Sequence, residues 1–266
     1  MRQPELGKRL IELRQQKSLT QEELVEACNV SVRTIQRIES GEVTPRTSTI
    51  KILLTALDAD FETFKKAIES NKSDSYLRST ETWLQIAWIS GIVYFVLGFL
   101  DGILEYERFE NSYEVDAVPF YIATKIFYFI FYSFFIFGFV KLGDYFSNYL
   151  IKISSFLLIG LFAIWTFFDI FTIYYEMSES NLWSLGAGES ISYGALTIVF
   201  GIGLMRLQDG MGQLAKIAGI LELLAGFFFA VVILFFLGYM VLVPAIIIEI
   251  VLLYKGFEFI KSELKA

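Results

Sequence analysis

Histidine is missing from the 266-residue sequence, and cysteine occurs once, as Cys28. Without histidine, the chain lacks the commonest general base and neutral metal ligand, and it can form no Ser-His-Asp or Cys-His catalytic arrangement. A single cysteine forms neither an intrachain disulfide nor a multi-cysteine zinc site. The motifs GxxxxGK[ST], GxSxG and HExxH do not occur either. We therefore predict that the protein is not an enzyme and uses no cofactor or metal.

Charged residues are scarce and unevenly distributed. They make up 19% of the chain, whereas 55% is hydrophobic and 17% aromatic. Soluble domains average about 25% charged and 45–50% apolar residues. Residues 1–70 nevertheless hold 11 of the 22 Lys+Arg and 11 of the 29 Asp+Glu. This division predicts a polar head of zero net charge, residues 1–69, and a membrane-embedded body, residues 83–266, joined by a polar linker, residues 70–82.

Capping and turn signals predict five short helices in the head. Thr20 and Glu23 form a capping-box pattern that begins the second helix. Ser31 is suited to cap the third helix, and Asn29 tolerates the left-handed backbone of the turn before it. Pro4 fits the first turn of the first helix. The expected helices span residues 4–17, 21–28, 32–40, 47–57 and 60–68.

The stretch LTQEELVEACNVSVRTIQRIESGEVTPR carries these signals in an uninterrupted order. It resembles the phage-repressor (Cro-type, XRE-family) helix-turn-helix domain, and the resemblance extends over roughly residues 4–68. The resemblance implies that the head binds double-stranded DNA as a homodimer, with the third helix in the major groove. Two residues depart from the family pattern: Val25 replaces a small alanine, and Asn29 replaces a glycine.

The third helix has two different faces. With a 3.6-residue period, Ile35 and Ile38 point to one side, and the polar residues point to another. The resemblance assigns base contacts to Val32, Arg33, Gln36 and Arg37. Arginine suits guanine O6 and N7, glutamine suits adenine N6 and N7, and valine suits a thymine methyl.

The resemblance also assigns contacts with the DNA backbone to Gln21, Arg14 and Arg46. It further predicts an ion pair between Arg14 and Glu39. Because the head is formally neutral, non-specific attraction to phosphates should be weak. The alternative that the head binds a protein partner therefore stays open.

Six apolar segments of the body are long enough to span a bilayer. They are residues 83–104, 117–140, 149–174, 191–207, 214–236 and 242–259. No charge separates the last two segments, and Gly238 and Pro244 are expected to mark the turn between them. The predicted fold is all-α: a five-helix head followed by a six-helix transmembrane bundle.

Basic residues alternate along the connections between the spans. They occur in the second connection, the fourth connection and the C-terminal tail, as Lys141, Lys152, Arg206, Lys216, Lys255, Lys261 and Lys265. Among the other three connections, Arg108 in the first is the only Lys or Arg. By the positive-inside rule, this pattern predicts a multi-pass protein of the inner (cytoplasmic) membrane with both termini in the cytoplasm.

Four ionisable residues fall within the predicted spans, where charge is costly. Lys125 and Asp169 are expected to form an ion pair between the second and third spans, as a packing bridge or a functional element. Glu222 and Glu249 could share a proton, hold a cation, or simply face the membrane interface. Both are expected at similar depths toward the inner side of the membrane.

These patterns predict a membrane-embedded one-component transcription regulator. In this interpretation, the body senses a hydrophobic or ionic signal, in contact with membrane lipid, and controls DNA binding by the head. Two alternatives remain: a membrane anchor whose head binds a protein, and a transporter-like protein with a regulatory head.

Overall fold

The computed structural model describes residues 5–43, 45–110, 117–175 and 177–265, and every regular element within these ranges is helical. The chain divides into two compact units, Met1–Arg78 and Ser79–Ala266. Helix α5, Phe61–Glu110, contributes residues to both units. The predicted linker, residues 70–82, lies within this helix. The helix can run through it because no glycine or proline interrupts residues 61–90. Pro4 lies outside the described residues.

The head contains four short helices and the beginning of α5. Their bounds are α1 Glu5–Gln16, α2 Gln21–Cys28, α3 Val32–Glu39 and α4 Thr47–Ala56. The four helices and the start of α5 enclose one aliphatic core. Its buried residues are Leu6, Leu10, Leu24, Ile35, Ile38, Ile50, Leu53, Leu54, Leu57 and Phe64. Each such side chain contributes about 1.5–3 kcal/mol of hydrophobic stabilisation, so the head has a core of its own.

The predicted caps around α2 and α3 are confirmed. The Thr20 side chain accepts a hydrogen bond from the Glu23 amide at 3.1 Å, and the Thr20 amide donates to Glu23 Oε2 at 2.7 Å. Asn29 has the left-handed backbone conformation, with φ 54° and ψ 33°. The Ser31 hydroxyl accepts from the Thr34 amide at 3.2 Å. These local bonds fix where α2 ends and where α3 begins.

The six predicted spans are confirmed by six helices that are long and apolar enough to cross a membrane. They are the later part of α5, then α6 Val118–Tyr145, α7 Tyr149–Tyr174, α8 Glu179–Met205, α10 Gln213–Ala230 and α11 Phe235–Glu263. A four-residue helix, α9 Gln208–Met211, links α8 to α10. α5 and α8 extend well into the connections expected from sequence. Residues 111–116 of the acidic first connection lie outside the described residues.

The expected position of the last turn is wrong. Gly238 and Pro244 both lie inside α11, and the chain instead breaks at the 3-10 turn Val232–Leu234. A proline removes only one backbone donor, which a membrane-spanning helix can accommodate. Gly238 marks a close contact, because a Cβ there would lie 2.8 Å from the Phe229 ring.

Glycines set the packing of α8 against α10. A Cβ on Gly219 would lie 2.5 Å from the Gly201 carbonyl oxygen, and a Cβ on Gly226 would lie 2.7 Å from the Gly194 carbonyl oxygen. Neither distance leaves room for a side chain. These two facing pairs, Gly194–Gly226 and Gly201–Gly219, allow the helix backbones to approach closely.

Glycines also bring α5, α6 and α11 together. Gly91 of α5 packs against Phe135 of α6 and Ile250 of α11, and Gly138 of α6 packs against Ala87 of α5. A Cβ at Gly91 or Gly138 would lie closer than 3.0 Å to these neighbours. The first and last spans of the body are therefore neighbours within one bundle.

Candidate nucleic-acid interface and buried ionic clusters

The face of α3 that was predicted to read bases is accessible. Ile35 and Ile38 are 2% and 1% exposed and hold the helix against the core of the head. Arg33, Gln36 and Arg37 are exposed on the opposite side. Val32, the fourth predicted base contact, is half-buried. The structure thus exposes two cationic side chains and an amide on one face of α3, while the opposite face packs against the core of the head.

Arg37 is only weakly engaged within the head. Its Nε lies 3.4 Å from Glu42 Oε2, with the two side chains 51% and 62% exposed. Exposed ion pairs of this kind contribute about 0–1 kcal/mol. Arg37 can therefore exchange Glu42 for another acceptor at little cost.

Arg14, Gln21 and Glu39 form a hydrogen-bonded network that joins α1, α2 and α3. Arg14 Nε and Nη2 donate to the two oxygens of Glu39 at 2.8 and 3.0 Å, and Nη1 donates to the Leu19 carbonyl at 2.8 Å. Gln21 Nε2 donates to Glu39 Oε2 at 2.6 Å. The hydrogen bond with the Glu39 carboxylate raises the pKa of Arg14 above its ordinary value. The predicted Arg14–Glu39 pair is thus present, and it helps to hold the domain together.

The surface beside this network is acidic. Glu22, Glu23 and Glu26 are exposed along α2. The Thr20 backbone amide, as a hydrogen-bond donor, lowers the pKa of Glu23, so this carboxylate keeps its charge at neutral pH. Arg46, the last predicted backbone contact, is exposed immediately before α4. The head therefore offers cations at α3 and at Arg46, with negative charge along α2.

In the body, Lys125 of α6 is surrounded by carboxylates. Its Nζ lies 3.0 Å from Asp101 Oδ1, 2.8 Å from Glu105 Oε1 and 3.0 Å from Asp169 Oδ2. Asp101 and Glu105 belong to α5, and Asp169 belongs to α7. The structure thus brings together the predicted pair Lys125 and Asp169, within a larger cluster than the sequence suggested.

Arg108 extends this cluster. It donates to the Tyr121 hydroxyl at 2.9 Å and to Thr172 Oγ1 at 2.6 Å, and the Tyr121 hydroxyl donates to Glu105. Three helices, α5, α6 and α7, therefore meet at one ionic cluster, defined as Asp101, Glu105, Arg108, Lys125 and Asp169. We refer to it as the Lys125 cluster.

Sequence reasoning missed most of the Lys125 cluster. The sequence places Asp101 at the end of the first predicted span, and Glu105 and Arg108 in the acidic connection that follows it. Their spacing of four and three residues places them on one face of a helix. That spacing could have indicated a shared face, but only if the helix continues past the predicted span, and α5 does continue to Glu110.

The structure also brings Glu222 of α10 and Glu249 of α11 together. They are 4% and 2% exposed, and both residues line the same small cavity. Glu222 is the tenth of 18 residues in α10, and Glu249 is the fifteenth of 29 in α11. Each carboxyl group therefore lies near the middle of its helix, and its depth toward the inner side of the membrane stays a prediction. The expectation that the two groups face outward to the interface is wrong, because both are buried.

Comparison with known proteins identifies the head. Residues 5–64 match the family model described as a helix-turn-helix domain, which covers α1 to α4 and the start of α5. The family binds DNA and is not an enzymatic one. No curated protein and no solved structure matches the chain. The predicted helix-turn-helix head, followed by six apolar helices, is thus confirmed.

Proposed function

We propose that the protein is a membrane-embedded one-component transcription regulator, whose head binds DNA sequence-specifically under the control of the body. The observation that carries this proposal is the exposed face of α3 on a domain that matches the helix-turn-helix family. A recognition helix needs an apolar side that fixes it and a polar side that reaches base edges. Ile35 and Ile38 supply the first side, and Arg33, Gln36 and Arg37 supply the second.

Each base contact follows from side-chain chemistry. Arg33 and Arg37 can each donate two parallel hydrogen bonds to guanine, and Gln36 can pair with adenine. The half-buried Val32 is suited to an apolar contact with a thymine methyl. Since a good bidentate contact discriminates by about 1–3 kcal/mol, these four residues would account for most of the sequence preference of one half-site.

The backbone contacts are compatible with the internal network of the head. A glutamine amide nitrogen has two N–H donors, and Gln21 uses one of them on Glu39. Arg14 has five N–H donors and uses three within the domain. Gln21 and Arg14 can therefore donate to phosphates while the network stays intact, and the exposed Arg46 adds a third contact.

The neutral head makes a homodimer the favoured binding unit. One head has little non-specific attraction for phosphates, so affinity must come from two specific half-sites. Two recognition helices on a two-fold axis meet successive major-groove turns when they are about 34 Å apart. A body that dimerises in the inner membrane, with cytoplasmic termini and lipid around it, would set this spacing. The Lys125 cluster is the candidate place where an ionic signal acts.

The test is selection of binding sites from random duplex DNA with residues 1–78 fused to a dimerising segment. We expect enrichment of a palindromic site, and loss of that enrichment in Arg33→Ala plus Gln36→Ala. The matched control is Lys8→Ala plus Gln15→Ala, which changes one cation and one amide at exposed positions on α1. Enrichment of no site, or the same site in the α3 variant, would contradict sequence-specific DNA binding.

A second candidate function is a membrane anchor whose head binds a protein. The acidic surface of α2 favours it, because Glu22, Glu23 and Glu26 repel phosphates and suit a basic protein surface. The same selection separates the two functions, since a protein-binding head would enrich no DNA site.

A further inference from the structure

Glu222 and Glu249 are buried without a positive partner. Within the described part of the body, no Lys or Arg lies at ion-pairing distance from either carboxyl group. An ionised carboxylate that is removed from water without a partner costs several kcal/mol. Two adjacent ones would also repel each other. The pair therefore needs a positive charge, from a proton or a cation, that the nearby described side chains do not supply.

The burial of the two groups indicates what is missing. Both side chains are buried and line one small cavity, and an ionised carboxylate carries no donor hydrogen. A hydrogen bond between two carboxyl groups requires a proton on one of them. In addition, Glu249 Oε1 is buried and receives no hydrogen bond from any described donor. A proton on one of the two carboxyl groups would remove one of the two charges and give the pair a hydrogen-bond donor.

The surroundings of the pair are uncharged and largely apolar. The two carboxyl groups line a small cavity with room for about one water molecule. The other titratable groups that line it are Tyr94 of α5, Tyr132 of α6 and Tyr193 of α8, while α7 contributes Leu158. The Tyr132 hydroxyl is buried without a hydrogen-bond partner among the described groups. The cavity therefore has unsatisfied polar atoms and no basic side chain.

Packing holds Glu222 in place. It lies between Gly219 and Gly226, which contact α8 closely, and a Cβ on Gly201 would be 3.0 Å from the Glu222 Cβ. The Glu222 backbone cannot move away from α8 without opening this contact. The separation of the two carboxyl groups is therefore set by how α11 packs on the α8–α10 pair.

We propose that Glu222 and Glu249 form a buried proton-binding site in which the two carboxyl groups share one proton. Transfer of that proton out of the site leaves two carboxylates facing each other at the α10–α11 contact, so deprotonation weakens this contact. The site belongs to the body alone. The inference therefore does not depend on whether the head binds DNA.

The experiment is infrared spectroscopy of the full chain in lipid nanodiscs at neutral pH. We expect the carbonyl stretching band of a protonated carboxylic acid. The band should shift in both Glu222→Gln and Glu249→Gln, because each removes one half of the shared hydrogen bond, and it should be lost in the double variant. The control is Glu258→Gln, an exposed glutamate of α11 that bonds to Tyr254. It should leave the band unchanged.

Three outcomes would overturn the proposal. The band could be absent from the wild-type protein, it could respond to only one of the two substitutions, or it could disappear when sodium replaces choline at constant pH. The last result would identify a metal-cation site instead. As a second measurement, the melting temperature of the wild-type chain in detergent should fall as the pH is raised above neutral. The double variant should lose that fall, and an equal fall in both proteins would also contradict the proposal.

Discussion

The head and the body treat buried charge differently. In the head, the buried carboxylate of Glu39 receives hydrogen bonds from Arg14 and Gln21, so each partner is satisfied within the domain. In the body, the single ammonium group of Lys125 contacts three carboxylates, and Glu222 and Glu249 share a cavity that no described Lys or Arg lines. The head therefore keeps its functional chemistry on an exposed helix face, whereas the body keeps unbalanced charge inside.

The two regions also differ in what fills their cores. The head core is aliphatic, apart from Phe64. The body core relies on large rings and on glycines that bring backbones together, such as Tyr132 and Phe139 of α6 and the facing pair Gly201–Gly219. An aliphatic core tolerates repacking, whereas a contact between backbones does not. Equivalent substitutions should therefore have different effects in the two regions, and four experiments test this.

The largest effect is expected at Lys125. Lys125→Met leaves three carboxylates near one another and should destabilise the body by about 5 kcal/mol. The measurement is thermal unfolding of the full chain in detergent. Lys255→Met, at an exposed position of α11, is the matched control and should change little. Similar losses in the two variants would show that Lys125 contributes no more than a surface lysine does. Adding Asp169→Asn to Lys125→Met should recover part of the loss.

The second-largest effect is expected at Glu39, whose buried carboxylate is hydrogen-bonded to Arg14 and Gln21 within the head. Glu39→Ala removes the acceptor of three hydrogen bonds and leaves Arg14 without its ion-pair partner, so the head should lose about 3 kcal/mol of unfolding free energy. Glu42→Ala, which breaks the exposed Arg37–Glu42 pair, should cost less than about 1 kcal/mol. Urea unfolding of residues 1–78 measures both. Equal costs for the two variants would contradict the distinction between the buried network and the exposed pair.

A smaller effect is expected at the glycine pairs of the body. Gly219→Ala places a Cβ 2.5 Å from the Gly201 carbonyl oxygen, and such overpacking costs about 1–3 kcal/mol. Gly160→Ala in α7 is the control, because a Cβ there meets nothing within 4 Å, and alanine favours a helix by about 1 kcal/mol. Thermal unfolding of the full chain should separate the two variants. A harmless Gly219→Ala would show that the α8–α10 contact is looser than described.

The smallest effect concerns the pH dependence of the head. Hydrogen bonds from the Thr20 amide to Glu23 and from the Thr63 amide to Asp60 lower the pKa of both carboxyl groups in the folded state. The two hydrogen-bonded carboxylates therefore contribute their full stabilisation of the folded head above the ordinary pKa values of 4.5 and 3.8. This stabilisation is lost as the pH falls through their lower pKa values in the folded state.

The check is the urea midpoint of residues 1–78 measured across this acidic range. The midpoint should decrease on acidification, and Glu23→Gln should make the decrease shallower. Glu26→Gln on the same helix, where no cap hydrogen bond is present, should leave the slope unchanged. A slope that responds equally to both substitutions would rule out the capping box as its source.

Local signals predicted the head well, because caps and turns depend on residues that are close in sequence. Thr20, Asn29 and Ser31 act within four residues, so their roles can be read from the chain. The number of spans was equally accessible, since hydrocarbon thickness fixes the length of apolar segments. By contrast, the Lys125 cluster depends on how α5, α6 and α7 are rotated about their axes. The turn at Val232–Leu234 was misplaced because an apolar 3-10 turn has no composition signal. The DNA contacts themselves stay predictions.

The facing glycines of α8 and α10 also restrict how the body can move. The two contacts are seven residues apart on each helix, Gly194 to Gly201 and Gly219 to Gly226. Sliding one helix by a single residue would press side chains against a backbone at both places. Shear between α8 and α10 is therefore blocked, and this hairpin should move as one rigid piece against its neighbours. The sliding surfaces available for a conformational change are those that α10 and α8 share with α11 and α7.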